Sequence, residues 1–205
     1  MRIWRDFTLL ALALMFAYGG GYYFGRHPES LRELVSSKSL VIATTEDRIL
    51  NREVQNWLED RWGHSIIVLL ISETEIESRL ADSDLILAPL TTLKPYETQL
   101  KPRPENLPLE WVDPDFLIQG DQTIPLLWKL VKVDERRQKL VKLALAWTPK
   151  SEDHPELVRW LLSRNAQSLM SKDSSYYPVR LDLLQDPQSE YPRLRAIPLS
   201  DLIWE

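Results

Sequence analysis

Apolar residues along this chain fall into two patterns, short dense runs and helically spaced sets, and their order predicts the fold. Leu40–Ala43, Ser65–Ile71 and Asp84–Ala88 are dense runs with the length of buried strands. Between the first two, Ile49, Leu50, Val54, Trp57, Leu58 and Trp62 recur at helical spacing over residues 49–62, and Gly63 follows as a stop. Between the second and third, Ser72 stands as an N-cap with Glu75 three residues on, a capping-box pattern, and Ile76 and Leu80 supply the apolar face. Strand, helix, strand, helix, strand in this order predicts parallel pairing.

The second half reads differently. Residues 94–116 contain Pro95, Pro102, Pro104, Pro108 and Pro114, which predicts an extended surface connection rather than a helix. Two apolar stretches flank the polar Asp134-Glu-Arg-Arg137, predicting a β-hairpin with strands at 124–133 and 138–147. Glu156 to Met170 reads as one amphipathic helix opened by Pro155. Tyr176-Tyr-Pro-Val179 reads as a turn, and Leu199, Leu202, Ile203 and Trp204 form a last apolar patch. The predicted fold class is α/β: one doubly wound, mostly parallel sheet plus a hairpin.

The N-terminus changes the picture of location. Arg2 and Arg5 precede the apolar run Phe7–Ala17, and Tyr22, Tyr23 and Phe24 follow it. This predicts a signal anchor or signal peptide over 1–27, with residues 28–205 as the exported domain. The expected locations are a single-pass inner-membrane protein facing the periplasm or, if the segment is cleaved, a periplasmic protein.

Composition removes several kinds of chemistry. The net charge of −5 argues against a nucleic-acid partner, which calls for a basic face. Cysteine is absent, which excludes disulfides, thiolate metal sites and a cysteine nucleophile. The chain has six glycines, and only Gly63 and Gly120 lie beyond residue 25, so a glycine-rich phosphate cradle cannot be built. The acidic run of Glu73, Glu75, Glu77, Asp82 and Asp84 reads as a helix N-terminus with favourable negative charge rather than an acid–base pair. His27, His64 and His154 have no ligand-type spacing and read as surface residues. No Gly-x-Ser-x-Gly elbow is present, and catalysis is not expected. Among eight tryptophans, Trp57, Trp62, Trp147 and Trp160 fall on apolar faces and are predicted core, whereas Trp111 and Trp204 are candidate exposed anchors.

Two stretches carry a family resemblance. The first runs from Ser39-Leu-Val-Ile-Ala-Thr-Thr-Glu46 through Asn56-Trp-Leu-Glu-Asp-Arg-Trp-Gly63 to Asp82-Ser-Asp-Leu-Ile-Leu-Ala-Pro89. The second runs from Leu143-Ala-Leu-Ala-Trp-Thr-Pro-Lys150 through His154–Ser163 to Tyr176-Tyr-Pro-Val179, with Ile124-Pro-Leu-Leu-Trp128 between the two. In this the chain resembles the periplasmic solute-binding proteins of ABC importers, of the spermidine/putrescine (cluster II) type. Members of that family insert a second lobe between the two crossover strands. Here only a short polar turn separates those strands, so the second lobe is expected to be missing.

The resemblance implies ligand contacts from the loops after the first-lobe strands. Those positions are Thr44, Thr45 and Glu46, then Thr91 and Thr92, with Trp128 and Tyr176 as aromatic walls. Hydroxyls and one carboxylate would suit a small polar or cationic solute. Ferric-binding relatives use adjacent tyrosines as ligands, but Tyr176-Tyr177 precedes Pro178 and matches the family's turn, so neither a metal site nor a cofactor is expected. The implied function is a membrane-tethered, single-lobe, solute-binding-like protein with weak solute binding or a transporter-associated role. The alternative is an envelope interaction module whose hinge face docks a membrane or periplasmic protein.

Overall fold

The computed structural model describes residues 39–114, 122–135, 137–152, 154–172, 175–186 and 202–204. The predicted N-terminal anchor and most of the tail beyond residue 186 lie outside the described residues.

The three dense runs become β1 (Leu40–Thr44), β2 (Ile66–Leu70) and β3 (Leu85–Pro89), and the hairpin becomes β4 (Thr123–Lys132) and β5 (Gln138–Trp147). Two short strands, β6 (Tyr176–Pro178) and β7 (Leu202–Trp204), join the same sheet. Its order is β2-β1-β3-β5-β4-β6, with β7 beside β5. β1 pairs in parallel with both β2 and β3, as the alternation of strand and helix predicts. The expectation of a mostly parallel sheet is overturned in the other half, where β3–β5, β5–β4 and β4–β6 are all antiparallel. A tight turn joins β4 to β5 and forces them antiparallel. β5, not β4, then returns beside β3.

Strand alternation divides the interior into two layers. Leu40, Ile42, Leu85, Leu87, Leu143, Leu145 and Trp147 belong to one core cluster. Ala43, Ile86, Ala88, Ala144 and Ala146 belong to the other. The first cluster is covered by α1 (Arg52–Trp62), α4 (Pro155–Leu161) and α5 (Arg164–Met170), through Val54, Leu58, Leu157, Val158, Leu161 and Met170. The second is covered by α2 (Ile76–Arg79), α3 (Leu90–Leu93) and the chain after it, through Ile76, Leu93 and Leu100. A last short helix, α6, spans Leu181–Gln185.

Four local expectations are corrected. Helix α1 starts at Arg52, where Asn51 Oδ1 accepts from the N–H groups of Glu53 and Val54, so Ile49 and Leu50 pack ahead of it. The single helix predicted over 156–170 is two, because Ser163 Oγ accepts from Ala166 N–H and starts a new helix. The proline-rich stretch contains 3-10 turns at Lys94–Gln99 and Leu109–Trp111. The Tyr176–Val179 turn is instead strand β6, paired with β4 through Leu127–Lys129.

Local signals at two other places are met. Glu75 Oε2 accepts from the backbone N–H and hydroxyl of Ser72, and these bonds hold its carboxyl below the usual range. Gly63 ends α1 at φ 75°, with its N–H donating to Glu59 O at 2.8 Å. A Cβ there would meet no atom within 4 Å, so any penalty is conformational. Gly63→Ala is expected to lose about 1–2 kcal/mol in chemical denaturation, and Gly63→Asn appreciably less.

Candidate functional site

In α/β sheets of this kind, ligands bind outside the carboxyl ends of the strands. At the end of β1, Thr44 is buried and its Oγ1 accepts from Glu46 N–H at 3.0 Å. This local turn, of a kind short hydroxyl side chains make with their own backbone, directs Glu46 inward. Thr45 N–H donates to Leu87 O at 3.2 Å and ties the turn to β3.

The Glu46 residue is 5% exposed. Its carboxylate receives Lys129 Nζ at 3.0 Å on Oε1 and 2.7 Å on Oε2, and Oε2 also accepts from the Tyr176 hydroxyl at 2.8 Å. Lys129 and Tyr176 are register partners on β4 and β6, which puts both on the face that Glu46 enters. The ammonium also lies 5.9 Å from the centre of the Tyr176 ring. Residues from β4, β6 and the turn after β1 thus converge on one carboxylate. Its charge is compensated by the ammonium, as burial requires.

Thr44, Glu46 and Tyr176 are therefore brought together, with Thr45 adjoining. The other expected site residues are elsewhere. Trp128 is 1% exposed and precedes Lys129 on its strand, so it faces the opposite side of the sheet, where Lys142 Nζ lies 5.3 Å from its ring. Thr91 is exposed and Thr92 half-buried on α3, whose Leu90 and Leu93 pack in the second core layer, away from Glu46. Lys129 was not among the expected site residues. Its only signal in the sequence is that it interrupts the apolar face formed by Leu127, Val131 and Val133.

Neighbouring residues on a strand point to opposite faces, so Tyr176 and Tyr177 on β6 do not converge on one point. Among the described residues, no group of three or more His, Asp or Glu side chains gathers as a metal site would. The acidic run is also divided. Asp84 Oδ2 accepts from Val41 N–H at 2.8 Å and locks β3 to β1 at the opposite end of the strands, whereas Glu75 caps the turn before α2.

The aromatic residues form a second cluster on the helical layer. Trp57 and Trp160 meet edge to face at 6.2 Å, with the Arg61 guanidinium 4.1 Å above Trp57. The expected surface histidines, His64 and His154, instead flank Trp62 at 4.7 and 5.4 Å, both edge to face. Trp57, Trp62 and Trp160 are half-buried rather than core, and only Trp147 of the four is fully buried. Trp111 is half-buried beneath the Arg180 guanidinium at 4.7 Å, not an open anchor. Arg180 also holds the Asp182 carboxyl below the usual range through a 2.8 Å hydrogen bond.

No known family profile matches the sequence, and no curated protein matches it. Solved structures do match. Iron-bound HitA from Pseudomonas aeruginosa superposes with a TM-score of 0.58 at 10% identity, over 80% of this chain and 91% of that chain. The described chain has the fold of solute-binding proteins. The ferric binding protein from Campylobacter jejuni gives a TM-score of 0.60 at 9% identity, over 75% of this chain and 90% of that chain. The substrate binding protein of the ABC transporter from Agrobacterium tumefaciens gives 0.62 at 9% identity, over 82% and 86%. At such identities the likeness is one of fold. Among the described residues no helix is long and apolar enough to cross a membrane, and the N-terminal run lies outside that set.

Proposed function

We propose that this chain is an extracytoplasmic solute-binding-like protein, held at the inner membrane by its N-terminal segment or released into the periplasm if that segment is cleaved. Its role is binding, not catalysis, with a small polar solute taken weakly at the carboxyl end of β1 or a transporter-associated task served from the same lobe. The observation that carries this reading is the inward-turned Glu46, held by Lys129 and Tyr176 where such folds receive ligands. The short connection between β4 and β5 supports the further reading that a second lobe is missing: Val133 N–H donates to Arg137 O at 3.0 Å where the two strands meet. The spermidine/putrescine subtype rests on the sequence resemblance alone.

A thermal-shift screen of the full chain against sugars, amino acids, polyamines and metal ions tests this. A genuine ligand at 100 times its dissociation constant adds about 2.7 kcal/mol, and Thr44→Val is expected to reduce the response. A flat result across all four classes would refute solute binding.

A second reading, an envelope interaction module, has its own observation. Ile67 is 45% exposed and Leu70 64% exposed on β2, the end strand of the sheet among the described residues, and Val133 is 49% exposed just past the end of β4. Sedimentation of the full chain at increasing concentration, with and without envelope extract, separates this reading from the first.

A further inference from the structure

We infer that Lys129 is an internal ligand: its ammonium occupies the cation position of the Glu46 site, which admits an external primary ammonium ion only when that side chain is gone. The inference rests on reading the Glu46 site as the ligand position. Lys129 lies in a strand whose neighbours on the same face, Leu127 and Val131, are apolar, so nothing in the strand itself calls for a charge there. Its Nζ meets the carboxylate on both oxygens, at 2.7 and 3.0 Å, and lies 5.9 Å from the Tyr176 ring centre. A carboxylate that meets an ammonium through both oxygens beside an aromatic ring has the chemistry to bind an alkylammonium ion. Here that ion is supplied by the chain itself. Tethering removes the translational entropy that a free amine loses on binding, so an external amine competes poorly. The side chain is 32% exposed, against 6% for Glu46, so the lysine covers the carboxylate on its solvent side. The prediction for the natural protein is that amines and polyamines are excluded from this position.

The test uses n-propylammonium, the group that Lys129→Ala removes, with sodium chloride at equal ionic strength as the control. The melting temperature of full-length Lys129→Ala is expected to rise by about 3 °C at saturating amine, with the natural protein unmoved and Glu46→Gln/Lys129→Ala unresponsive. No response in Lys129→Ala, or an equal response in the natural protein, would overturn the inference. An equal response that Glu46→Gln abolishes would do so while leaving Glu46 as a ligand position. If Lys129→Ala does not fold, acetylation of the natural protein decides the matter. Lys129 is then expected to react about tenfold more slowly than the exposed Lys150, and Glu46→Gln is expected to erase the difference. Equal rates in the natural protein would overturn the inference.

Discussion

Gln167→Ala is expected to lower the stability of the lobe by about 3–5 kcal/mol. Gln167 is fully buried on α5. Its Nε2 donates to Leu126 O at 2.9 Å and to Leu161 O at 3.1 Å, and its Oε1 accepts from Val179 N–H at 2.9 Å. Each partner needs it for a separate reason. Leu126 sits at the irregularity in β4, between Pro125 and Leu127, where the ladder to β5 shifts register. Leu161 is the last residue of α4, whose terminal carbonyls have no helical partner. Val179 follows the end of β6. Truncation leaves three backbone groups in a dry interior, each worth about 1–3 kcal/mol. Urea denaturation with an unchanged slope measures the loss. A change below about 1 kcal/mol would mean that water replaces the amide and that the site is not sealed.

The second large effect concerns the buried ion pair. Lys129→Met is expected to cost about 3 kcal/mol, because it leaves the Glu46 carboxylate buried with only the Tyr176 hydroxyl. Glu46→Gln alone leaves a lysine that is already a third exposed and is expected to cost less. The double variant Glu46→Gln/Lys129→Met removes both charges and is expected to recover most of the loss, since replacing a buried pair by neutral groups is often near neutral. The double-mutant cycle should therefore give a coupling of roughly 1.5–3 kcal/mol. Additive single effects would mean that the pair between the turn after β1 and β4 has no energetic content.

What the sequence disclosed follows from how local each signal is. β1, β2, β3 and the hairpin strands are dense apolar runs with polar or glycine boundaries, and all of them are legible. The neighbour of β3 is not, because a hairpin pattern fixes which strands pair with each other and not which of them joins the existing sheet. Ser163 sits inside an apolar periodicity that continues through Leu161, Leu162 and Leu169, so its capping role is hidden by the very pattern that predicts one helix. β6 is three residues long and contains Pro178, which reads as a turn; its strand character comes from pairing with Lys129 and Trp128. The site was half legible. Thr44, Glu46 and Tyr176 come from position along a resembling fold, whereas Lys129 showed only as a charge out of place. Its partner lies 83 residues earlier, a distance over which periodicity carries no information. The side of the sheet on which Trp128 lies is hidden for a related reason: one residue of strand register separates the face that holds Glu46 from the face that holds Lys142.

Side-chain ammonium resonances, recorded on the full chain at neutral pH, report on the Glu46 site without perturbing it. They read whether the carboxyl end of β1 is built around a Glu46 carboxylate held by Lys129 and Tyr176. The Lys129 ammonium is predicted to exchange slowly enough with water to be observed, and to shift in both Glu46→Gln and Tyr176→Phe. A Lys129 signal that exchanges as fast as that of Lys150 and is unmoved by either substitution would mean that the carboxylate is not held in this way.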